Sequence, residues 1–472
     1  MHQGDALVAI TGVGIGLPEL RLDRREVNAA WGHGGGRGAV AVCGPDEDVL
    51  TLSWHAADSA LGAAGVTASA VDGLWWGTGR PPFAEGPSGT FLAAALGLRP
   101  DLAATVVSGS TTAGLDALIA ARDAVASGRV RTALVVAADD LRPALGSGLE
   151  TAAGSAAVAY VLAAGDHPAT LGPPTSRWMP ALDRYRGDGE DGTRDAYDGR
   201  LFREQIFLPL LADLAKELTS DGPTRWSLPH PDGRLGAALA RRIGATEVPS
   251  ASVAESIGDS GCASAMLGAV ASIGTPGRTH LVAYGGGRAT GLTCDVTAAV
   301  PGGDVLPVLL AAGRPATYTE VLRARGQLRA QGESVEMAVP PGSAMFVREN
   351  LDLLAGRGAR CLACGTVNIP PGVHPSCITC GGDAFEAVTF ARRGTVVTFV
   401  VNQTMPAPFL APLPLVVVQL DDGARVQLQG LSSAADGLRI GAPVELILRR
   451  YSTERGVPLY GWKVALTDRS RP

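Results

Sequence analysis

Charge is sparse in this chain. Asp, Glu, Lys and Arg make up only 18% of its 472 residues, and the net charge is -6. A slightly acidic chain without a basic face offers no electrostatic footprint for a phosphate backbone, so nucleic acid is not an expected partner. Long apolar runs are missing too: none approaches the ~20 residues a helix needs to cross a bilayer, and no membrane partner is expected. Residues 1–13 lack the charged, apolar and cleavage-site regions of a secretory leader in their required order, so the expected location is cytoplasmic. Cysteine is scarce. Of seven, four are bunched at metal-ligand spacing, and Cys43, Cys262 and Cys294 are scattered, which fits reduced thiols and not a disulfide framework.

What is present is core material. Hydrophobic residues reach 46%, with many Ala, Gly and Val, a composition suited to buried sheets covered by small-residue helices and unsuited to disorder. A chain of this length exceeds one ordinary core, so at least two domains are expected. The stretch AITGVGIGLP reads as a buried strand ending in a Gly-rich turn, followed by helical periodicity over 21–31. Helices over 46–61, 88–96 and 112–125 then alternate with strands over 73–77, 105–107 and 133–138, a rhythm that predicts a largely parallel sheet covered on both faces. Residues 174–203 are rich in Asp, Arg and Gly and read as an excursion over the surface. A second, similar round follows, with helices over 201–218, 233–243 and 263–272 and strands over 225–228 and 280–285.

From residue 358 the chain becomes β-rich, and a domain boundary is placed near 350. Cys361-Leu-Ala-Cys364 and Cys377-Ile-Thr-Cys380 are two CxxC knuckles twelve residues apart, so four thiolates can converge on one tetrahedral Zn2+. All four ligands come from protein and no coordination position stays open, which makes the metal structural. His374, between the knuckles, reads as a solvent-facing loop residue. Five short strands over 394–401, 415–420, 424–428, 443–450 and 460–465 predict a small OB-type β-barrel. These strands lack the aromatic and basic interleaving that single-stranded nucleic acid requires. Ribbon followed by barrel, over about 350–470, resembles the zinc-ribbon and OB-fold family that accompanies thiolase-like enzymes. That resemblance implies acyl-CoA handling, or docking beside a thiolase-fold subunit, here fused in one chain.

Six stretches of the first 345 residues resemble the thiolase superfamily in its hydroxymethylglutaryl-CoA synthase and ketoacyl synthase III branch. They are ITGVGIGLPELRLDRREVNAAWG (10–32), GPDEDVLTLSWHAADSAL (44–61), SGSTTAGLDAL (108–118), LETAAGSAAVAYVL (149–162), LPHPDGR (228–234) and IGDSGCASAML (257–267). The implied fold class is α/β, with duplicated thiolase-like αβαβα layers over 1–173 and 174–349. A zinc ribbon over 350–386 and a five-stranded barrel over 387–472 follow. The implied substrate is an acyl-CoA or acyl-carrier-bound thioester, and the implied assembly is a homodimer paired across a sheet edge.

The resemblance also places the reaction centre. The family's nucleophilic cysteine, at a helix N-terminus where the dipole favours thiolate and oxyanion, falls on Thr111, with Ser110 just before it. An alcohol is far less acidic than a thiol, so easy thioester exchange is not expected. Thr111 also suits a helix N-cap. His230 falls on the catalytic histidine, able to polarise a thioester carbonyl or move a proton. Asp259 falls on the asparagine that completes the oxyanion site, where a carboxylate raises imidazole basicity and opposes an oxyanion; it equally suits a helix N-cap. Gly79 stands where the synthase has its general-acid glutamate, and Glu85 lies six residues on. Tyr284, Gly285 and Gly286 resemble the glycine-rich loop that admits the acyl group. Cys262 reads as a buried small residue.

Two functions follow as expectations. One is an acyl-CoA enzyme forming or cleaving a C–C bond in aldol or Claisen fashion without a cysteine adduct, His230 and Asp259 supplying acid/base work; in a variant of it, Ser110 or Thr111 carries an acyl group. The other is a catalytically silent thiolase-fold subunit that binds acyl-CoA or scaffolds an active partner, motivated by the replacements at 79, 111 and 259. A serine hydrolase is set aside because GSTTA has no closing glycine in GxSxG register.

Overall fold

The computed structural model describes residues 7–195, 198–218, 222–329, 331, 351–373, 375–405, 409, 411–454 and 456–467. The expected boundary near 350 and the reading of His374 lie outside them. Two compact units emerge, one drawn from residues up to 93 and from 98–328, the other from 94–97 and from 329 onward.

The first unit is built on two half-sheets. In the first, strands run in the order Ala103–Val107, Gly73–Gly77, Thr132–Asp140, Ser155–Ala164 and Val8–Gly16. In the second, Ala169–Leu171, Arg288–Val296, Gly277–Gly285 and Thr224–Ser227 follow one another, and Thr175–Trp178 also pairs with Arg288–Val296. The expected largely parallel sheet is corrected to a mixed one. Gly73–Gly77 runs parallel to both its neighbours, and Thr224–Ser227 is parallel to Gly277–Gly285, but the other pairings are antiparallel. Strand Ser155–Ala164 escaped the sequence rhythm because SAAVAYVLAA is buried on both faces and shows no alternation.

The layers follow from where each strand is apolar and where it is bare. Gly12, Gly14 and Gly16 sit at every second position of Val8–Gly16, and a Cβ on any of them would collide with helix Val49–Ala64 at Ala64, Ala56 or Leu52. This helix, capped by a box between Asp48 and Thr51 and closed by left-handed Gly65, therefore rides directly on the strand backbone. The expected Gly-rich turn is thus a glycine face within a continuous strand. Val8, Ile10, Val13 and Ile15 join the opposite, central cluster, together with Leu115 and Leu118 of helix Ala113–Ala126, Met266 and Leu267 of helix Ser264–Val270, and Leu281 and Leu292 of the second half-sheet. Helices Leu208–Leu218 and Leu235–Ile243 cover the outer side of that second half-sheet, so the order is helix, sheet, helix, sheet, helix.

In the second unit, Arg357–Cys361 pairs with Val367–Asn368 and Phe385–Thr389 to carry the two cysteine knuckles. Strands Arg393–Asn402, Leu413–Leu420, Arg425–Gln429, Pro443–Glu454 and Val457–Leu466 form a five-stranded antiparallel sheet, nearly closed by the bridge from Gly430 to Val464. Each overlaps one of the five expected strands, the third shifted by one residue to Arg425–Gln429.

Candidate active site and metal centre

At the end of strand Ala103–Val107 the chain turns through Gly109, which holds a φ of 108°, and starts helix Ala113–Ala126. Gly114 and Gly77 let this helix start press against the Cys262 and Ala113 backbones, where a side chain would not fit. A cavity of about 280 Å³ opens beside it. Thr111, Asp183, Arg184, Asp259, Ser264 and Tyr284 supply part of its polar lining, beside Asp195 and Asp232, and Phe202, Leu235, Val282 and Pro229 part of its apolar lining.

The Thr111 hydroxyl donates to the Tyr284 carbonyl at 2.6 Å, so it does not cap the helix, and among the described residues no titratable base hydrogen-bonds to it. Ser110 lies outside the lining and exchanges a hydrogen bond with Thr112, which donates to Asp116, itself paired with Arg288. Cys262 is no substitute nucleophile. It is buried, its thiol donates to the Ser110 carbonyl, and burial together with Asp139 pushes its pKa well up.

His230 follows strand Thr224–Ser227 as expected, but its ring does not line the cavity, although Pro229 and Pro231 do. Its Nε2 shares a 3.0 Å hydrogen bond with Ser250, and Gly236 is bare because the ring fills the space a side chain would need. Burial lowers its pKa, against the opposing pull of Asp259 and Asp232. Asp259 does face the cavity. Its Oδ1 accepts from Ser264 Oγ at 2.6 Å and from Gly261 N at 3.2 Å, holding the short turn that leads into helix Ser264–Val270, and its Oδ2 meets the Arg184 guanidinium at 2.9 Å.

Gly79 lies off the cavity lining. Its N–H donates to Asp139, a fully buried carboxyl that also accepts from Cys262 N, and Glu85 is exposed. Burial raises the Asp139 pKa to about 6 despite these backbone donors. Gly286 and Gly287, at φ 60° and 71°, form a two-residue hairpin turn, while Gly285 packs on Thr111 and Ser110. Tyr284 faces the cavity, and its hydroxyl has no hydrogen-bond partner of ordinary geometry, nor does the neighbouring Asp183 Oδ1. Burial raises the pKa of both, Asp183 in addition raising that of Tyr284.

Asp183 and Arg184 went unread in the sequence because they lie in the polar stretch taken for a surface excursion. Arg184–Tyr185 instead pairs with Arg194–Asp195 and turns this segment onto the cavity. The available signal was the adjacent Asp-Arg pair in a segment that follows directly on two exposed apolar residues, Trp178 and Met179.

In the second unit, the sulfurs of Cys361, Cys364, Cys377 and Cys380 all lie within 4.8 Å of one another, with 3.6 Å between 361 and 380 and between 364 and 377. Tetrahedral Zn–S bonds of about 2.3 Å put sulfurs about 3.8 Å apart, so the set fits such an ion. Each knuckle closes the same way, with Gly365 and Gly381 at φ 78° and 75° directly after the second cysteine. Their amides donate back to the Cys361 and Cys377 carbonyls.

Comparison with known proteins agrees with this architecture. Residues 387–449 match the family model for the ChsH2 C-terminal OB-fold domain. The hydroxymethylglutaryl-CoA synthase of Methanosphaera stadtmanae is 27% identical over 299 residues, 60% of this chain and 86% of that protein. Among solved structures, MvaS in complex with 3-hydroxy-3-methylglutaryl coenzyme A superposes with a TM-score of 0.61 at 19% identity, covering 71% of this chain and 95% of that one. The 3-oxoacyl-(acyl carrier protein) synthase III of Pseudomonas aeruginosa superposes with a TM-score of 0.54 at 19% identity, over 62% of this chain and 98% of that one. In sequence, the chain is similar to hydroxymethylglutaryl-CoA synthases. Its large unit has the fold of these two solved structures, and it continues into the segment that matches the OB-fold family model.

Proposed function

We propose that the chain binds an acyl thioester of coenzyme A, or of an acyl carrier, and makes or breaks a C–C bond next to the thioester carbonyl without a covalent acyl-enzyme. The observation that carries this reading is the cavity at Thr111. The resemblance aligns Thr111 with the family's nucleophile, yet its hydroxyl is tied to the Tyr284 carbonyl and no thiol lines the cavity. A carboxyl, Asp183, does line it, with a buried oxygen that has no hydrogen-bond partner of ordinary geometry, and this group takes the α-proton as general base. His230, held by Ser250, supports the cavity wall formed by its neighbours Pro229 and Pro231. The relatives' name, that of an acyl-CoA synthase, supports the substrate class.

Zn2+ at the four cysteines is proposed as structural, where it would staple the ribbon and take no part in chemistry. Two copies are proposed to pair through Ala103–Val107, an edge strand whose one strand neighbour among the described residues is Gly73–Gly77. Light scattering on a Thr105→Pro variant tests that pairing, with a monomer expected.

The central test is incubation with a panel of acyl-CoA esters. Binding with no acyl adduct on the 108–114 peptide by mass spectrometry is expected, and a stable adduct there would favour acyl transfer by Ser110 or Thr111 instead. The withdrawn ring of His230 favours a second reading, a silent acyl-CoA-binding subunit. If Asp183→Asn and His230→Ala both leave every measured turnover unchanged, that reading replaces the first.

A further inference from the structure

The Arg184 guanidinium sits between the segment carrying the family's histidine and the position of the family's asparagine. Its Nη2 donates to the Pro231 carbonyl at 3.1 Å and meets Asp259 Oδ2 at 2.9 Å. Both side chains are largely buried, at 14% and 7% exposure, and both line the cavity. Among the described residues nothing accepts a hydrogen bond from Arg184 Nε or Nη1. An ion pair that served stability alone would gain little here, since desolvation offsets the attraction of a buried pair. Asp259, the residue that seemed to spoil the oxyanion site, is also the residue that anchors a cation in it.

We propose that Arg184, anchored by Asp259, stabilises the thioester enolate, taking over the electrophilic work of the family's histidine and asparagine. The inference rests on the enolate reading above. In the step, the α C–H bond breaks and its proton passes to the Asp183 carboxylate. The electron pair moves through the new C=C bond onto the thioester oxygen, and the free N–H groups of Arg184 hydrogen-bond that oxygen. Reversal with a solvent-derived proton returns the thioester, so no oxidant or second substrate is needed. A planar, permanently charged donor fork suits an oxyanion in a partly desolvated cavity.

The experiment follows deuterium entering the α-carbon of acetyl-CoA and propionyl-CoA in D2O by NMR, with CoA affinity by calorimetry and a thermal melt on every variant. The double variant Arg184→Gln/Asp259→Asn removes both charges and leaves neither unpaired. Its exchange is expected to fall about 100-fold or more, with CoA affinity and melting kept near native values. Asp259→Asn alone retains the guanidinium and is expected to lose less than about tenfold. If the double variant does not fold, Arg184→Lys keeps the charge pair but loses the fork, and a fall of about tenfold is expected. Native exchange rates in the double variant or in Arg184→Lys would overturn the role of Arg184. So would an Asp259→Asn loss equal to that of the double variant, which assigns the work to the carboxylate. A native chain that binds both thioesters but exchanges neither overturns the enolate reading itself, and this inference with it.

Discussion

Gly285 lies flat against Thr111. A Cβ at Gly285 would overlap the Thr111 hydroxyl oxygen and come within 2.9 Å of the Thr111 backbone nitrogen. The contact fixes the loop that carries Tyr284 to the start of helix Ala113–Ala126, and it leaves the Tyr284 carbonyl as the acceptor that occupies the Thr111 hydroxyl.

Gly285→Ala is therefore expected to destabilise the chain by about 1–3 kcal/mol, because the Thr111 backbone nitrogen cannot step aside. A denaturant melt measures this. A stability equal to that of the native chain would mean the loop is free to shift, and the tight coupling of Tyr284 to Thr111 would be lost.

Thr111→Cys restores a thiol at a helix start that faces the cavity, where the dipole lowers thiol pKa. Incubation with acetyl-CoA is expected to acylate residue 111 of the variant and leave the native chain unmodified, read by peptide mass. An unmodified variant would count against this cavity as a thioester site.

Asp139 supplies a pH signature. Its folded pKa of about 6 lies above the ordinary carboxylate value, so the folded chain holds this proton more tightly than the unfolded one. The stability it contributes is full below about pH 4 and is lost as pH rises through 6. Relative to Asp139→Asn, the native chain should be more stable at pH 4 than at pH 7 by about 2 kcal/mol, most of the two-unit shift. Parallel unfolding curves at the two pH values test this; a difference that does not change with pH would remove the shift.

Removal of metal should act on the ribbon. The native chain is expected to hold about one Zn2+ by elemental analysis, and Cys377→Ser to hold little. Cys377 is the telling ligand because Thr379 N and Asn368 Nδ2 both approach its sulfur, as donors approach a thiolate. Proteolysis of residues 357–389 should quicken in the variant and after chelation. Equal metal content in both proteins would dismiss the four-sulfur site.

Much of this protein was legible along the chain. Paired CxxC spacing, two-residue alternation in the barrel strands and helical periodicity in the large unit are local signals, set by ligand geometry, pleat and helical pitch. The resemblance put Thr111, His230 and Asp259 together, and of these Thr111 and Asp259 do line one cavity. Tertiary structure alone decided which way each group points. His230 turns to Ser250 because a bare Gly236 and a buried hydroxyl accept its ring. Arg184 leaves a polar stretch that looks solvated and enters the cavity because Asp259, 75 residues further along, offers a buried counter-charge. Spacing along a chain encodes contacts made within one element, whereas a buried charge finds its partner only after the elements have packed, and no local pattern records that choice.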